Sequence, residues 1–220
     1  AKHLKRDGDP VWKNLIERVT EADLQGVHPL HIANELKRRY RQNKDPMVGI
    51  RFARECIESI LEEQRLFHEA RGLITSGHVD FAKSVKHGGQ GVSLRIDAID
   101  SDNTQMTAAA RAAGVNILIQ RNRCGNVCIM TDNKLNIDIS PIMDKVRCAE
   151  FVARGGDVDT LTEEELAAFG KPGKCSSVPN WYFQDPGHNG LNGSETTPDT
   201  EPTKLDLETL FLLVCRVVSE

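Results

Sequence analysis

A glycine-rich polar segment near the end of the chain, residues 186–194, carries the strongest chemical signal in the sequence. A glycine recurs there at every third residue. Because glycine has no side chain, its backbone can approach a ligand closely and present N–H groups, as phosphate-binding loops do. The pattern predicts a phosphate cradle; the alternative is a tight connection that needs glycine for its backbone angles. The residues that would line the cradle are Gly187, His188, Asn189, Gly190, Asn192, Gly193 and Ser194.

Arginines earlier in the chain are the next candidates for phosphate binding. Arg111 stands near the end of a predicted helix, and Arg121 and Arg123 flank Asn122 in a predicted hairpin loop. A guanidinium group binds phosphate through two parallel hydrogen bonds. We therefore predict Arg111 and Arg121 as further phosphate ligands, with ordinary surface charge as the alternative for each residue.

Three aspartates, Asp97, Asp100 and Asp102, cluster between a predicted strand and a predicted helix. Carboxylates at the end of a strand in a helix-flanked sheet can bind a divalent cation. However, successive side chains along a strand point to opposite faces, and an aspartate at the start of a helix caps it. The sequence favours a capping role for Asp102 and solvent exposure for the other two.

Two groups of residues near the N-terminus could form a metal site and a nucleic-acid contact, but each has a simpler structural explanation. His28 and His31, with Asp23, resemble a metal-ligand set, but Pro29 argues against a shared helical face and a third clear ligand is missing. Helix capping is favoured, and no metal site is predicted. The basic run Lys37–Arg41 is interpreted as a solvated helix face, with a nucleic-acid contact as the alternative.

Helical periodicity in the first third of the chain predicts three helices that precede these candidate sites. Asp9-Pro10 starts the first helix, with aspartate as the cap and proline at the first helical position. Asp45-Pro46 repeats this signal and starts a long helix that runs to Arg71 and ends at Gly72. Residues 1–75 are therefore predicted to form a helical segment.

The second half of the chain mixes strand and helix patterns. A strand over residues 92–98 and a strand over 115–120 enclose a helix, so a right-handed crossover would make the two strands parallel. Residues 127–131 would return as an antiparallel hairpin strand. Later helices are predicted from Ser140, from Thr162 with a capping box, and from Asp206. The sequence thus predicts an α+β protein, in which the helical segment is followed by a small mixed α/β domain over residues 76–220.

Residues 171–204 are rich in glycine, proline, serine, asparagine and threonine, yet contain the consecutive aromatics Trp181–Phe183. Disordered segments are usually poor in aromatic residues. We therefore predict an ordered, irregular loop packed on the core. Aromatic residues are enriched at interface hot spots. The alternative function is accordingly a non-enzymatic interaction or assembly module, such as a homo-oligomer, that docks through these aromatics.

The composition of the chain limits the classes of protein to which it can belong. The chain has 220 residues, a formal net charge of −4 and 39% hydrophobic residues, which is enough apolar material for a core. No apolar run approaches the roughly 18 residues of a membrane helix, so no membrane partner is predicted. Six scattered cysteines without a Cys-x-x-Cys pair predict free thiols and a cytoplasmic protein.

Several segments together resemble the DHH phosphoesterase superfamily, and within it the melanocyte-proliferating-gene exonuclease family and its bacterial relatives. The N-terminal segments are Asp23–Val27, a helix with Tyr40, and the long helix Phe52–Phe67. They are followed by a strand ending in aspartate, a helix ending in Gly114, two strands and the late glycine-rich segment. The resemblance spans about residues 16–218.

This resemblance implies that residues 76–220 form an accessory domain that holds a phosphorylated small molecule or a nucleic-acid end. Enzymes of the superfamily hold two manganese ions with a His-x-Asp element, a separate aspartate and an Asp-His-His triplet, and this sequence contains no such triplet. Manganese binding and hydrolysis are therefore expected in a segment outside these residues, and enzymatic activity of this chain is left open. A third alternative is a self-contained hydrolase that uses Asp97, Asp100, His28 and His31.

Overall fold

The computed structural model describes residues 9–13, 17, 32–87, 92–185, 188–193 and 200–220. The chain divides into two compact units, Ala1–Glu69 and Ala70–Glu220. The described part of the first unit is helical, whereas the second unit contains a seven-stranded sheet with helices packed on it. The predicted α+β class is confirmed.

The bounds of the described elements are as follows. The helices are α1 (Ile32–Asn43), α2 (Pro46–Thr75), α3 (Met106–Ala112), α4 (Ser140–Ala153), α5 (Glu163–Ala168) and α6 (Leu207–Ser219). The strands are β1 (Phe81–Lys86), β2 (Ser93–Asp100), β3 (Ile117–Arg121), β4 (Val127–Thr131), β5 (Gly173–Cys175), β6 (Val178–Gln184) and β7 (Asn189–Asn192). Residues 10–13 are also helical, and most of the predicted first helix lies outside the described residues.

Aspartate caps start the two N-terminal helices for which they were predicted, at Pro10 and Pro46. Asp9 and Asp45 each accept a hydrogen bond from the N–H group two residues ahead, at 3.0 and 2.9 Å. The predicted end of the long helix is wrong, because α2 continues through Gly72 to Thr75. The chain turns instead at Gly77, whose φ of 74° is the left-handed conformation that glycine adopts after a helix.

Part of the predicted basic face on α1 is occupied by pairs within the helix. Arg38 and Arg39 bond the Glu35 carboxylate at 2.5 and 2.8 Å. Hydrogen bonds from these two arginines lower the pKa of Glu35 to about 2. The Arg39 guanidinium also lies 4.1 Å from the centre of the Phe52 ring. These contacts agree with a solvated helix face that is stabilised by its own charge pairs.

The sheet has the strand order β1-β2-β3-β4-β7-β6-β5. Only β2 and β3 are parallel among these neighbours, and α3 connects them, so the predicted crossover is confirmed. Strand β4 returns antiparallel to β3 through a hairpin, also as predicted. Asp100 at the end of β2 lies opposite Arg121 at the end of β3, so the two strand ends are level.

Helices cover both faces of the sheet. Helices α4 and α6 pack on one face, over a core that includes Ile96, Ile117, Ile119, Ile129, Met143, Trp181 and Leu210. On the other side of β2, Arg95 donates to the Ile74 carbonyl oxygen at 3.3 Å and to the buried Asp97 carboxylate at 2.7 Å. The last turn of α2 therefore lies on this second face. Helix α3 lies there too, because its Thr107 contacts Met130, which points to the side of β4 opposite the core residue Ile129.

Residues 171–204 contain three of the seven strands, so the prediction of an irregular loop is wrong, whereas the predicted packing on the core is confirmed for its described part. Strand β6 turns Trp181 and Phe183 into the core and leaves Tyr182 exposed. Because Trp181 is 0% exposed, the predicted docking surface of consecutive aromatics is also wrong. Side chains alternate between the two faces of a strand, so these consecutive aromatics point in turn into the core and to solvent. The segments between these strands are rich in turn-forming residues, so strands this short are hard to recognise from the sequence.

Candidate functional site

Strand β7 occupies the place of the predicted phosphate cradle. It pairs with β4 on one side and β6 on the other, so Gly190 lies opposite both Ile129 and Phe183. Both edges of the strand are thus paired within the sheet and do not form an open array of N–H groups. The prediction of an exposed loop is wrong for Asn189–Asn192. Gly187 and Ser194 lie outside the described residues.

Asn192, predicted to bind a ligand, is fully buried, and its side chain forms hydrogen bonds within the protein. Its Nδ2 atom donates to the carbonyl oxygens of Asn180 and Glu201 at 2.8 and 3.2 Å. Its Oδ1 atom accepts a hydrogen bond from the Thr203 N–H group at 2.8 Å. The side chain therefore fastens the segment that leads into α6 to the centre of the sheet.

Gly190 serves packing, since a Cβ atom there would overlap the sulfur atom of Met143. Met143 is itself fully buried and has little room to move. We expect Gly190→Ala to lower the free energy of unfolding by about 1–3 kcal/mol, the usual cost of overpacking a core. Urea denaturation measures this change. The added variant Met143→Val removes the sulfur and should recover part of the loss; purely additive losses would contradict the packing explanation.

Residues with left-handed backbone flank β7 on both sides. His188 has a φ of 48° and Gly193 a φ of 69°. The Thr131 hydroxyl group donates to the His188 carbonyl oxygen at 3.0 Å, which holds the first turn against β4. Hydrogen bonds from Ser140, and to a smaller extent the charge of His188, lower the pKa of Asp138. Thr131 thus has a structural role at the start of β7.

A cleft of about 470 Å³ lies at the carboxyl ends of the parallel strands β2 and β3. It is lined by Asp100, Ser101, Asp102, Arg121, Asn122, Arg123 and Gly125. The crossover thus brings together two groups that are separate in the sequence, the aspartates that follow β2 and the arginines of the β3–β4 hairpin. This edge of a helix-flanked parallel sheet is where ligands commonly bind. We refer to it below as the Asp/Arg cleft.

Arg121 is held firmly in the Asp/Arg cleft by Asp100. The Nε and Nη2 atoms each donate to a different carboxylate oxygen, both at 2.6 Å. This bidentate pairing raises the pKa of Arg121 above its usual value. The carboxylates of Asp206 and Asp80 act in the same direction. The fixed guanidinium therefore stands in acidic surroundings.

Arg123 is held loosely by comparison. Its Nε atom lies 3.5 Å from Asp102 Oδ2, and 79% of its side chain is exposed. That distance is longer than a strong charge-assisted hydrogen bond. The Arg123 N–H group donates to Asp102 Oδ1 at 3.0 Å, so the loop is anchored through its backbone. The guanidinium of Arg123 is therefore free to turn onto an anionic ligand.

Hydrogen bonds within the hairpin give the Asp/Arg cleft a fixed wall. The Asn122 Oδ1 atom accepts from the N–H groups of Cys124 and Asn126, both at 3.0 Å. On the other side, Gln120 Nε2 donates to the carbonyl oxygen of Ser101 at 2.8 Å. A wall of this kind positions side chains before a ligand arrives, which reduces the cost of binding.

The remaining predicted residues lie elsewhere. Arg111 donates to the Thr131 carbonyl oxygen at 2.8 Å and does not line the Asp/Arg cleft. Asp97 is buried against Arg95, on the opposite side of β2 from its core face, so its predicted solvent exposure is wrong.

The predicted helix cap at Asp102 is wrong as well, because its carboxylate accepts a hydrogen bond from the Arg123 N–H group instead. The neighbouring Asn103 accepts one from the N–H group of Gln105, the residue before α3, at 2.9 Å. The signal that could have revealed the cleft is the predicted parallel crossover, since parallel neighbours carry their carboxyl ends to the same edge of the sheet.

No metal-binding cluster is present in the described ranges, where no three or more histidine, cysteine, aspartate or glutamate residues are grouped to hold an ion. The candidate ligands His28, His31 and Asp23 fall outside those ranges. All six cysteines are free thiols, as predicted. Among the described helices, none is both long and apolar enough to cross a membrane.

Comparisons with known proteins add no assignment. No family model matches the chain, and no curated protein and no solved structure matches it. The resemblance to the DHH superfamily therefore stays a prediction.

Proposed function

We propose that the Ala70–Glu220 unit binds a phosphorylated, hydroxyl-bearing ligand, such as a nucleotide or a sugar phosphate, in the Asp/Arg cleft. The proposal rests on a difference between two arginines. Arg121 is fixed by two hydrogen bonds of 2.6 Å to Asp100, whereas the Arg123 Nε atom lies 3.5 Å from the Asp102 carboxylate. The cleft volume of about 470 Å³ is within the usual range for small-molecule sites.

Each group would have a distinct role in binding. Arg123 turns from Asp102 to the phosphate, where a guanidinium forms two parallel hydrogen bonds. The Asp102 carboxylate, released from this weak pair, accepts hydrogen bonds from ligand hydroxyl groups. Arg121 stays paired with Asp100 and forms a fixed part of the cleft lining.

The acidic surroundings of the cleft favour a ligand that carries hydroxyl groups as well as phosphate. Asp80 and Asp206 lie near Arg121 and oppose a bare anion. Hydroxyl groups offset this effect, because they donate hydrogen bonds to carboxylates. We therefore expect adenosine 5′-monophosphate and ribose 5-phosphate to bind more tightly than inorganic phosphate.

This proposal concerns binding and includes no hydrolytic step. It agrees with the substrate-holding role that the DHH resemblance implies for an accessory domain. It differs in the location of the ligand, which moves from residues 187–194 to the carboxyl ends of β2 and β3. In the family, manganese and hydrolysis belong to the domain that carries the Asp-His-His triplet.

Arg123→Ala is expected to weaken the binding of adenosine 5′-monophosphate by about 10–100-fold, because a charge-assisted hydrogen bond contributes about 1.5–3 kcal/mol. Isothermal titration calorimetry on the full chain measures the dissociation constant. Arg216→Ala is the matched control, since Arg216 is an exposed arginine outside the cleft. It should bind the nucleotide as the wild type does.

A further variant, His188→Ala, separates the Asp/Arg cleft from the originally predicted cradle. We expect it to leave nucleotide affinity unchanged. Loss of binding in His188→Ala, with full binding in Arg123→Ala, would return the site to the ends of β7. Equal affinity in the wild type, Arg123→Ala and Arg216→Ala would exclude the cleft as the phosphate site.

A further inference from the structure

The surroundings of the Asp/Arg cleft are more acidic than its lining. The lining carries two arginines and two aspartates, so its charges cancel. A third aspartate, Asp80, is held beside the cleft, because its Oδ2 atom accepts a hydrogen bond from the Asp100 N–H group at 2.7 Å. A fourth, Asp206, lies near Arg121 and interacts with its charge. Two positive and four negative groups therefore give this region a net charge of −2.

Within the lining that the structure describes, Arg123 is the one cation that a phosphate group can recruit. Arg121 is already paired with Asp100 through two hydrogen bonds of 2.6 Å. Arg123 lies 3.5 Å from the Asp102 carboxylate and has an exposed side chain. The other residues of the lining are neutral, namely Ser101, Asn122 and Gly125. The cleft thus offers a guanidinium group to one phosphate group and has no second cation ready for another.

The movement of Arg123 adds a further negative charge to the site. When its guanidinium group turns to a phosphate group, the Asp102 carboxylate loses its partner in the protein. A second phosphate group on the ligand would then face Asp102 in the cleft, or Asp80 and Asp206 beside it, and like charges repel. Hydroxyl groups on the ligand have the opposite effect, because they donate hydrogen bonds to carboxylates.

We infer that the Asp/Arg cleft selects monophosphates, such as nucleoside and sugar monophosphates, over the corresponding diphosphates and triphosphates. This inference rests on the proposed function, because it concerns the ligand of the same site. A longer phosphate chain gains no ion pair from the described lining, yet it brings more negative charge to an acidic region. Because this selectivity is electrostatic, dissolved salt should weaken it.

Isothermal titration calorimetry of the full chain with adenosine 5′-mono-, di- and triphosphate tests this inference. The titrations contain EDTA, because a divalent cation would neutralise the phosphate chain. In low salt, each added phosphate group is expected to weaken binding about threefold to tenfold, since it adds a like charge at a partly screened distance. The difference between the three nucleotides should become smaller as the sodium chloride concentration rises.

Asp80→Asn tests the origin of the selectivity. Asparagine keeps an oxygen that can accept from the Asp100 N–H group and removes the negative charge. The ratio of the triphosphate to the monophosphate dissociation constant should therefore fall about threefold. Asp102→Asn is a second variant with the same expected direction. Asp159→Asn is the matched control, since Asp159 is exposed and lies outside the cleft, and it should leave the ratio unchanged.

The results distinguish this inference from the proposed function. A preference for the monophosphate that decreases in Asp80→Asn and Asp102→Asn, but not in Asp159→Asn, supports the inference. Triphosphate binding as tight as monophosphate binding overturns the selectivity and leaves the proposed function intact. A preference that stays the same in both cleft variants overturns the electrostatic explanation. If none of the three nucleotides binds the wild type, the proposed function fails together with the inference.

Discussion

Arg147→Ala is expected to lower the free energy of unfolding by about 3–5 kcal/mol, because it removes the donor from several buried carbonyl groups at once. Arg147 is 0% exposed. Its guanidinium donates to five carbonyl oxygens, those of Ala168, Phe169, Lys171, Gly173 and Trp181. It thereby joins the end of α5 and strand β5 to the core strand β6. Burial lowers the pKa of Arg147, although a guanidinium remains protonated at neutral pH.

Urea denaturation followed by far-ultraviolet circular dichroism measures the effect of Arg147→Ala. Arg147→Lys keeps the charge but has a compact ammonium group in place of the planar fork, so it should recover only part of the loss. Arg216→Ala, at an exposed position, is expected to stay within about 0.5 kcal/mol of the wild type. A loss below about 1 kcal/mol in Arg147→Ala would contradict the structural role assigned to this arginine.

Glu150→Ala is expected to cost about 3 kcal/mol, because the buried Glu150 carboxylate connects three parts of the second unit. Glu150 is 0% exposed. It accepts hydrogen bonds from Arg154 Nε at 2.7 Å, Asn180 Nδ2 at 3.0 Å and the Lys204 N–H group at 3.1 Å, and also from the Thr203 hydroxyl group. Helix α4, strand β6 and the segment before α6 meet at this one side chain.

The same carboxylate predicts how stability depends on pH. Burial raises the pKa of Glu150, but hydrogen bonds from Thr203, Arg154 and Asn180 outweigh that effect, so the pKa lies below its usual value. The unfolded state therefore binds a proton at a higher pH than the folded state. The stabilisation is fully present above the unfolded pKa of about 4.3 and is lost as the pH falls through the folded pKa.

Glu150→Gln removes this titration while keeping the shape of the side chain. The variant should be less stable than the wild type at pH 7, and the difference between the two should shrink as the pH falls below about 4.3. Urea denaturation at a series of pH values measures both curves. A difference that stays constant down to the acid transition would show that Glu150 has the same pKa in the folded and unfolded states.

Local features of the fold were predictable from the sequence. Asp45 caps α2 as expected, and Thr162 and Glu165 form the predicted capping box of α5. The last helix starts after Asp206 as predicted, and the Asp206 carboxylate accepts a hydrogen bond from the Thr209 N–H group at 2.7 Å. Each of these depends on residues within a few positions of one another, which a linear pattern contains completely.

The central position of β7 was not predictable in this way. Its glycines and asparagines are typical of a loop, and nothing adjacent in the sequence shows that β4 and β6 will flank it. Gly190 is present because Met143 packs over the strand, and Asn192 is present because three separate segments meet there. The same composition would fit a phosphate-binding loop, so the pattern alone favoured the wrong interpretation.

The sequence by itself determined the α+β class, the starts of α2, α4, α5 and α6, and the parallel β2–α3–β3 crossover, because these follow from short-range periodicity and capping. Only the tertiary structure decided which strands became neighbours and which charges met. Asp100 and Arg121 are separated by 21 positions in the chain, yet the register of two parallel strands makes them direct partners. Strand order and register depend on how the whole core packs, and they brought the residues of the candidate site together.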